Sequence, residues 1–166
     1  MNNAPKVALV MGSKSDLEVC QPAIAVLKKF GVSVTARVIS AHRTPLAAHE
    51  FASAAREQGY EVIIAAAGKA AHLAGVLAAY TTLPVIGIPV KSSFMDGLDS
   101  LLSMVQMPTG IPVACVAVNG GENAGLLALQ MLALKYADIA QKLAAHKKDM
   151  AAAVAKDDAR LIAEVN

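Results

Sequence analysis

Apolar positions along this chain switch repeatedly between short continuous runs and wider, helix-like spacing. "KVALVM" (6–11) stops at Gly12, after which Leu17, Cys20, Ile24 and Leu27 recur at intervals of three or four until Gly31. That pattern predicts a strand, a loop and a helix. Ser15 with Glu18 predicts a capping box at the helix start, with Asp16 near its positive end. Pro22 removes a backbone donor beyond the first turn, which predicts a kink or a late start.

The pattern repeats. "VSVTARVI" (32–39) alternates as a strand with unequal faces does, and "SAHRTP" (40–45) follows it. Thr44 is a natural N-cap and Pro45 suits the first helical position, predicting an alanine-rich helix that ends near Gly59. "EVIIAAA" (61–67), a loop at Gly68 and Lys69, and a short helix through "HLAGVLAAY" (72–80) form a third unit. "PVIGIPV" (84–90) and "IPVACVAV" (111–118) predict two further strands, joined by a helix through "LDSLLSMVQ" (98–106). Strands alternating with helices imply right-handed crossovers and a parallel sheet covered on both faces, an α/β fold of the three-layer α/β/α type.

From Asn123 onward the pattern is almost entirely helical. Leu126, Leu127, Met131 and Leu134 make one stripe, and Ile139, Leu143, Met150, Val154 and Leu161 a narrower second one. The expected organisation is a single domain over 1–166, with a core of about 6–135 and a C-terminal helical extension of about 136–166. That extension is either a solvated helix with a packing stripe or a helix packed on a neighbouring subunit.

Composition narrows the function. The chain has 166 residues, of which 55% are hydrophobic before glycine is counted. Counting glycine in place of tyrosine raises the apolar share to about 60%, above the usual range, and points to burial between subunits. With 15 basic and 13 acidic side chains there is no broad electrostatic footprint for nucleic acid or an acidic membrane. Cys20 and Cys115 read as small buried hydrophobes, which fits a reducing cytoplasm. "MNNAPK" lacks the pattern of a signal peptide. The most apolar region, 65–90, is broken by Lys69, His72, Pro84 and Pro89 and makes a poor membrane span.

In a doubly wound sheet, ligands bind beyond the C-terminal ends of the strands, where the strand order reverses. With an order 2-1-3-4-5, the loops "GSKSD" (12–16), "SAHRTP" (40–45) and "AAGKAAH" (66–72) become neighbours. Gly12 permits close backbone approach, and Ser13 and Ser15 offer hydroxyls beside a helix N-terminus, as phosphate sites do. Simple capping accounts for Ser15 and Asp16 equally well. Arg43 favours the phosphate reading, because a guanidinium binds phosphate through two parallel hydrogen bonds. Asp16, which phosphate would repel, suits sugar hydroxyls. No dinucleotide or P-loop fingerprint is present, and "NGGENAG" (119–125) reads as a turn into the next helix. His49 and His146 read as structural. His42 lies beside the anion-binding candidate, where an imidazole can exchange protons near neutral pH. His72, at a helix start, either donates to a ligand or satisfies backbone groups. No metal site is expected, because no paired cysteines, H-E-x-x-H or carboxylate cluster accompanies these histidines.

"MGSKSD", "SAHRTP", "AAHLAG", "GLDSLLSMVQMPTGIPV" and "NAGLLALQML" together resemble the catalytic subunit of phosphoribosylaminoimidazole carboxylase, more specifically the bacterial-type 5-carboxyaminoimidazole ribonucleotide mutases of purine biosynthesis. The resemblance runs from the first strand to about residue 134. It implies a flavodoxin-like fold, an octamer whose sites are shared between subunits, and an isomerase that needs no cofactor. By that resemblance Ser13, Asp16 and Arg43 bind the ribonucleotide, Ser15, Ser40 and Gly12 support them, and His42 is the general acid/base. The third loop, with Ala67, Gly68, Lys69, His72 and Leu73, would close over the base and its carboxylate. Many members have glycine where this chain has Lys69, and proline where it has Ala74; Lys69 either reaches the migrating carboxylate or points into solvent. Two other readings compete: direct carboxylation of aminoimidazole ribonucleotide by CO2, and a non-catalytic flavin- or nucleotide-binding module, which this fold also hosts.

Overall fold

The computed structural model describes residues 4–165; residues 1–3 of the N-terminal stretch and residue 166 lie outside the described residues. Five parallel strands, β1 (Lys6–Met11), β2 (Ser33–Val38), β3 (Val62–Gly68), β4 (Val85–Val90) and β5 (Ala114–Cys115), form one sheet in the order β2-β1-β3-β4-β5. The helices are α1 (Leu17–Lys29), α2 (Pro45–Ala54), α3 (Leu73–Ala79), α4 (Leu98–Val105), α5 (Gly121–Ala133) and α6 (Ala137–Val165). The α/β flavodoxin-like sandwich and the order that brings the first three loops together are as the sequence predicts.

Two apolar clusters occupy the two faces of the sheet. Leu9, Ile64 and Ile86 pack under α1 and α5 with Leu27 and Leu129, while Val10, Ile63 and Ala65 pack under α2 and α3 with Phe51 and Leu77. Alternate residues of β1 and β3 therefore serve opposite layers, which is why these central strands are apolar throughout. β2 lies at the edge, and Val38 is 54% exposed despite its place in the alternation.

Several expectations need correction. Helix α1 runs without interruption through Pro22 and starts at Leu17, so the proline does not delay it. A 3₁₀ turn over Lys14–Asp16 precedes it, and the capping box is Ser13 with Asp16, upstream of the expected Ser15 with Glu18. Helix α2 ends at Ala54, ahead of Gly59. Thr44 occupies the N-cap position without capping, because its hydroxyl donates to the Ser40 carbonyl at 2.9 Å and accepts the Ser40 N–H at 3.0 Å.

Strand β5 is two residues long, where an eight-residue run was expected. The carbonyl of Pro89 faces β5 and accepts the Asn119 N–H at 2.8 Å, but proline has no N–H to give back, so the ladder ends there. In α5 the buried face is Gly121, Ala124, Gly125, Ala128, Leu129 and Leu132, while Leu134 of the expected stripe is 92% exposed. Small residues face inward because α1 lies so close: a Cβ on Gly121 would strike the Val19 carbonyl, and one on Gly125 would strike Val26. The turn "NGGENAG" is thus also a packing surface. Of the second stripe, Ile139 is buried and Leu143 partly so, while every described residue from Lys147 onward is exposed.

Candidate functional site

Beyond the C-terminal ends of the strands lies an open cleft of about 720 Å³. The loop after β1 contributes Gly12, Ser13, Ser15 and Asp16, and the loop after β2 contributes Ser40, His42 and Arg43. The segment between β3 and α3 contributes Ala67, Gly68, Lys69, His72 and Leu73. All twelve residues singled out from the sequence line this one cleft.

Each loop is shaped by its own hydrogen bonds. In the first, Asp16 Oδ2 accepts the Ser13 N–H at 3.1 Å, and Ser13 Oγ accepts the Ser15 N–H at 3.3 Å and lies 2.8 Å from Ser15 Oγ. The Ser15 hydroxyl, with one proton, lies within reach of both Ser13 Oγ and Asp16 Oδ1, the latter at 3.4 Å, so the three side chains form one polar cluster. Burial pushes the Asp16 carboxyl up, against the opposing effect of the hydrogen bonds from Ser13 and Ser15. The turn that carries the capping box, just ahead of α1, is therefore also a wall of the cleft.

In the second loop Arg43 lies across the gap to the first. Its Nη2 donates to the Gly12 carbonyl at 3.1 Å, and its Nε donates to Ser40 Oγ at 3.3 Å. Beside it, His42 turns toward the third loop, and its Nε2 lies 2.9 Å from His72 Nδ1. In the third loop Lys69 is exposed with φ +58°, a left-handed conformation that favours glycine. The close approach of Gly68 to the Val90 carbonyl leaves little room for a side chain there.

The remaining histidines lie elsewhere. His49 packs edge-on to Tyr80 with centroids 4.6 Å apart, and His146 packs edge-on to Phe30 at 6.1 Å. Cys20 is buried, and burial, together with the charge of nearby Asp16, pushes its thiol up to about 12. Cys115 is half-buried, with its thiol also raised by burial.

The sequence reading missed a fourth wall. Val90, Lys91, Ser92 and Ser93, from the end of β4 and the loop after it, also line the cleft. Lys91 pairs with Asp96 at 3.1 Å, and its N–H is held at 2.8 Å by Asn119 Oδ1 from the turn before α5. The signal was available: "KSSFMDG" (91–97) follows a strand of the same sheet and carries the polar residues that break its apolar run.

The cleft thus presents to a ligand a guanidinium beside two serine hydroxyls, a carboxylate and an imidazole. The chain is 58% identical over 146 residues to the N5-carboxyaminoimidazole ribonucleotide mutase of Pyrococcus abyssi, covering 88% of this chain and 84% of that one. It is 51% identical over 157 residues to the mutase of the same name from Thermotoga maritima, covering 95% of this chain and 92% of that one. The crystal structure of Treponema denticola PurE superposes with a TM-score of 0.84 at 28% identity, covering 95% of this chain and 98% of that one. The family model for AIR carboxylase matches residues 6–153, and with the five-stranded fold and the cleft it fits, the chain belongs to the AIR carboxylase family.

Proposed function

We propose that this chain is a 5-carboxyaminoimidazole ribonucleotide mutase of purine biosynthesis, an isomerase that moves a carboxylate from the exocyclic nitrogen to C4 of the aminoimidazole. The observation that carries the reading is the seating of His42 next to Arg43 in one cleft, with Ser13 and Asp16 opposite. In this reading Arg43 and Ser13 hold the phosphate, supported by Ser15, Ser40 and the Gly12 backbone, and Asp16 holds the ribose. His42 gives a proton to the nitrogen as CO2 leaves, C4 attacks the retained CO2, and His42 takes the C4 proton. Ala67, Gly68, Lys69, His72 and Leu73 enclose the base and its carboxylate. The electron-rich ring serves in place of a cofactor, so the protein supplies positioning and exclusion of water.

The active form is a homo-oligomer larger than a dimer, an octamer by family resemblance, working in the cytoplasm. Its support is the apolar surface of a single chain: Val38, Leu46, Phe94, Leu102, Val154 and Leu161 are all exposed. No helix among the described residues is long and apolar enough to cross a membrane. The mass in solution at micromolar concentration tests the assembly; a monomer would overturn it.

The reaction is tested with substrate labelled in its carboxylate and turned over in unlabelled bicarbonate. A mutase yields C4-carboxylated product that keeps most of its label. Dilution of the label to the bicarbonate level, or efficient product formation from aminoimidazole ribonucleotide and modest bicarbonate, would make the enzyme a direct carboxylase. Tight binding of flavin mononucleotide without turnover would make it a binding module. His42→Asn should abolish turnover while ribonucleotide binding persists, since only proton transfer is lost.

A further inference from the structure

Strands β3 and β4 end in register, Gly68 beside Val90, and each is followed at once by a lysine that lines the cleft. Lys69 and Lys91 thus leave neighbouring strands side by side. The backbone of Lys91 is firmly seated: its N–H donates to Asn119 Oδ1 at 2.8 Å, and a Cβ on Gly97 would come within 3.2 Å of its Cα. Its head is not. Among the described residues the ammonium is held by Asp96 alone, at 3.1 Å, in a pair whose side chains are 57% and 85% exposed. An exposed pair is weak, so the charge can turn to a ligand at little cost. Every non-glycine residue of positive φ among the described residues belongs to this arrangement: Lys69 (+58°), Met95 (+52°), Asp96 (+53°) and Asn119 (+58°). Left-handed backbone in such residues costs energy and gathers where function demands it.

We infer that Lys91 is a specificity residue whose ammonium binds the ring carboxylate at the end of the cleft opposite Arg43. This rests on the ribonucleotide reading of the cleft proposed above. Arg43 follows β2 and Lys91 follows β4, and in the order β2-β1-β3-β4 those strands are three spacings apart, about 14 Å. A carboxylated aminoimidazole ribonucleotide is anionic at both ends, phosphate at one and carboxylate at the other, with uncharged ribose and imidazole between. The charged side chains lining the cleft follow the strands in the order Arg43, Asp16, Lys69, Lys91. Cations at both ends match that ligand in sign.

The flexible four-carbon stem of a lysine lets one ammonium meet the carboxylate on the exocyclic nitrogen or on C4. CO2 itself is uncharged, so Lys91 contributes affinity for the carboxylated ribonucleotides at either end of the reaction. A lysine that only braced its own loop would behave differently. The pair with Asp96 draws the chain back after β4 through three successive left-handed residues, Met95, Asp96 and Gly97 (+98°). If bracing were its use, Lys91 and Asp96 would be equivalent, and loss of either would loosen the loop alike. If Lys91 serves the ligand, Asp96 competes with that ligand for the ammonium. Their removal then acts in opposite directions.

The test measures equilibrium binding of two ligands by calorimetry: the C4-carboxylated ribonucleotide, and aminoimidazole ribonucleotide, which has the same phosphate and lacks the carboxylate. The parent should prefer the carboxylated ligand by about 10-fold or more, the effect of a charge-assisted hydrogen bond. Lys91→Gln should lose most of that preference, while its affinity for aminoimidazole ribonucleotide stays within about two-fold of the parent. Asp96→Asn, in which asparagine tolerates the left-handed backbone, should raise the preference by about two- to five-fold, the strength of an exposed ion pair. No fall in preference in Lys91→Gln, or no rise in Asp96→Asn, would overturn the inference. Asp96→Asn decides if Lys91→Gln does not fold. A parent that binds neither ribonucleotide would instead remove the reading of the cleft itself, so the two failures are distinguishable.

Discussion

The Arg43 guanidinium donates to the carbonyl oxygen of Gly12 at 3.1 Å, tying the loop after β2 to the loop after β1 across the mouth of the cleft. With its Nε on Ser40 Oγ, two of its five N–H groups are engaged within the protein, and three remain for a ligand. Arg43 therefore shapes the cleft and still has donors to spare.

Replacing Arg43 by alanine should raise KM for the ribonucleotide about 10–100-fold, the loss of charge-assisted hydrogen bonds to phosphate. Lysine should recover only part of this, because a point charge cannot bridge Gly12 and Ser40 while holding phosphate. Steady-state kinetics on both variants checks this; an unchanged KM in Arg43→Ala contradicts the anion-site reading.

Asp16 should show a conflict between stability and function. Its carboxyl is raised by burial, so the folded state holds the proton more tightly than the unfolded chain. That favours folding in acid, and the benefit is lost as pH rises through the raised value, above which the ionised carboxylate is costly. Asp16→Asn keeps an acceptor for the Ser13 N–H without the charge. Thermal melts should place the variant level with or above the parent at neutral pH, with the gap narrowing toward acid, while KM rises from loss of the ribose contact proposed for Asp16. A variant that melts lower at neutral pH would show that the charged hydrogen bonds outweigh burial.

Lys69→Gly separates backbone from side chain. A lysine at φ +58° carries a conformational cost that glycine avoids, so the substitution should stabilise the fold by up to about 1 kcal/mol. If the ammonium meets the migrating carboxylate, kcat should fall further than ribonucleotide binding weakens. A gain in melting temperature with kcat and binding unchanged would place Lys69 in solvent.

Gly121→Ala should destabilise the protein by about 1–3 kcal/mol, the cost typical of overpacking, because the added methyl meets the Val19 carbonyl oxygen of α1. Denaturant melts of the variant measure it. A variant as stable as the parent would mean that α1 and α5 separate readily.

Much of this molecule was legible from local chemistry. β1, β3 and β4 appear as apolar runs because both faces of the central strands are covered, and Gly12 and Gly68 mark where two of those strands give way to loops. His42 and Arg43 were legible as candidates because polar and charged residues just beyond a strand have no core to serve. Family resemblance added roles, but the positions already stood out.

What stayed hidden depended on distance and direction, which a linear pattern does not carry. The residues 111–118 look like a full strand, yet only Ala114–Cys115 pairs, and pairing stops beyond Cys115 where Pro89 on the neighbouring strand has no donor to offer. The leucines of α5 look like its core face, yet Gly121 and Gly125 lie inward, because the closeness of α1 decides which side chains fit. Thr44 looks like a cap until Ser40 takes its hydroxyl. The contact between His42 and His72 joins residues 30 positions apart and exists only because β1 lies between β2 and β3, so that two crossovers deliver their loops to one edge. Sequence determined which groups were available for chemistry, since composition and spacing are local; tertiary structure decided which of them meet, since the order and packing of strands set every distance between them.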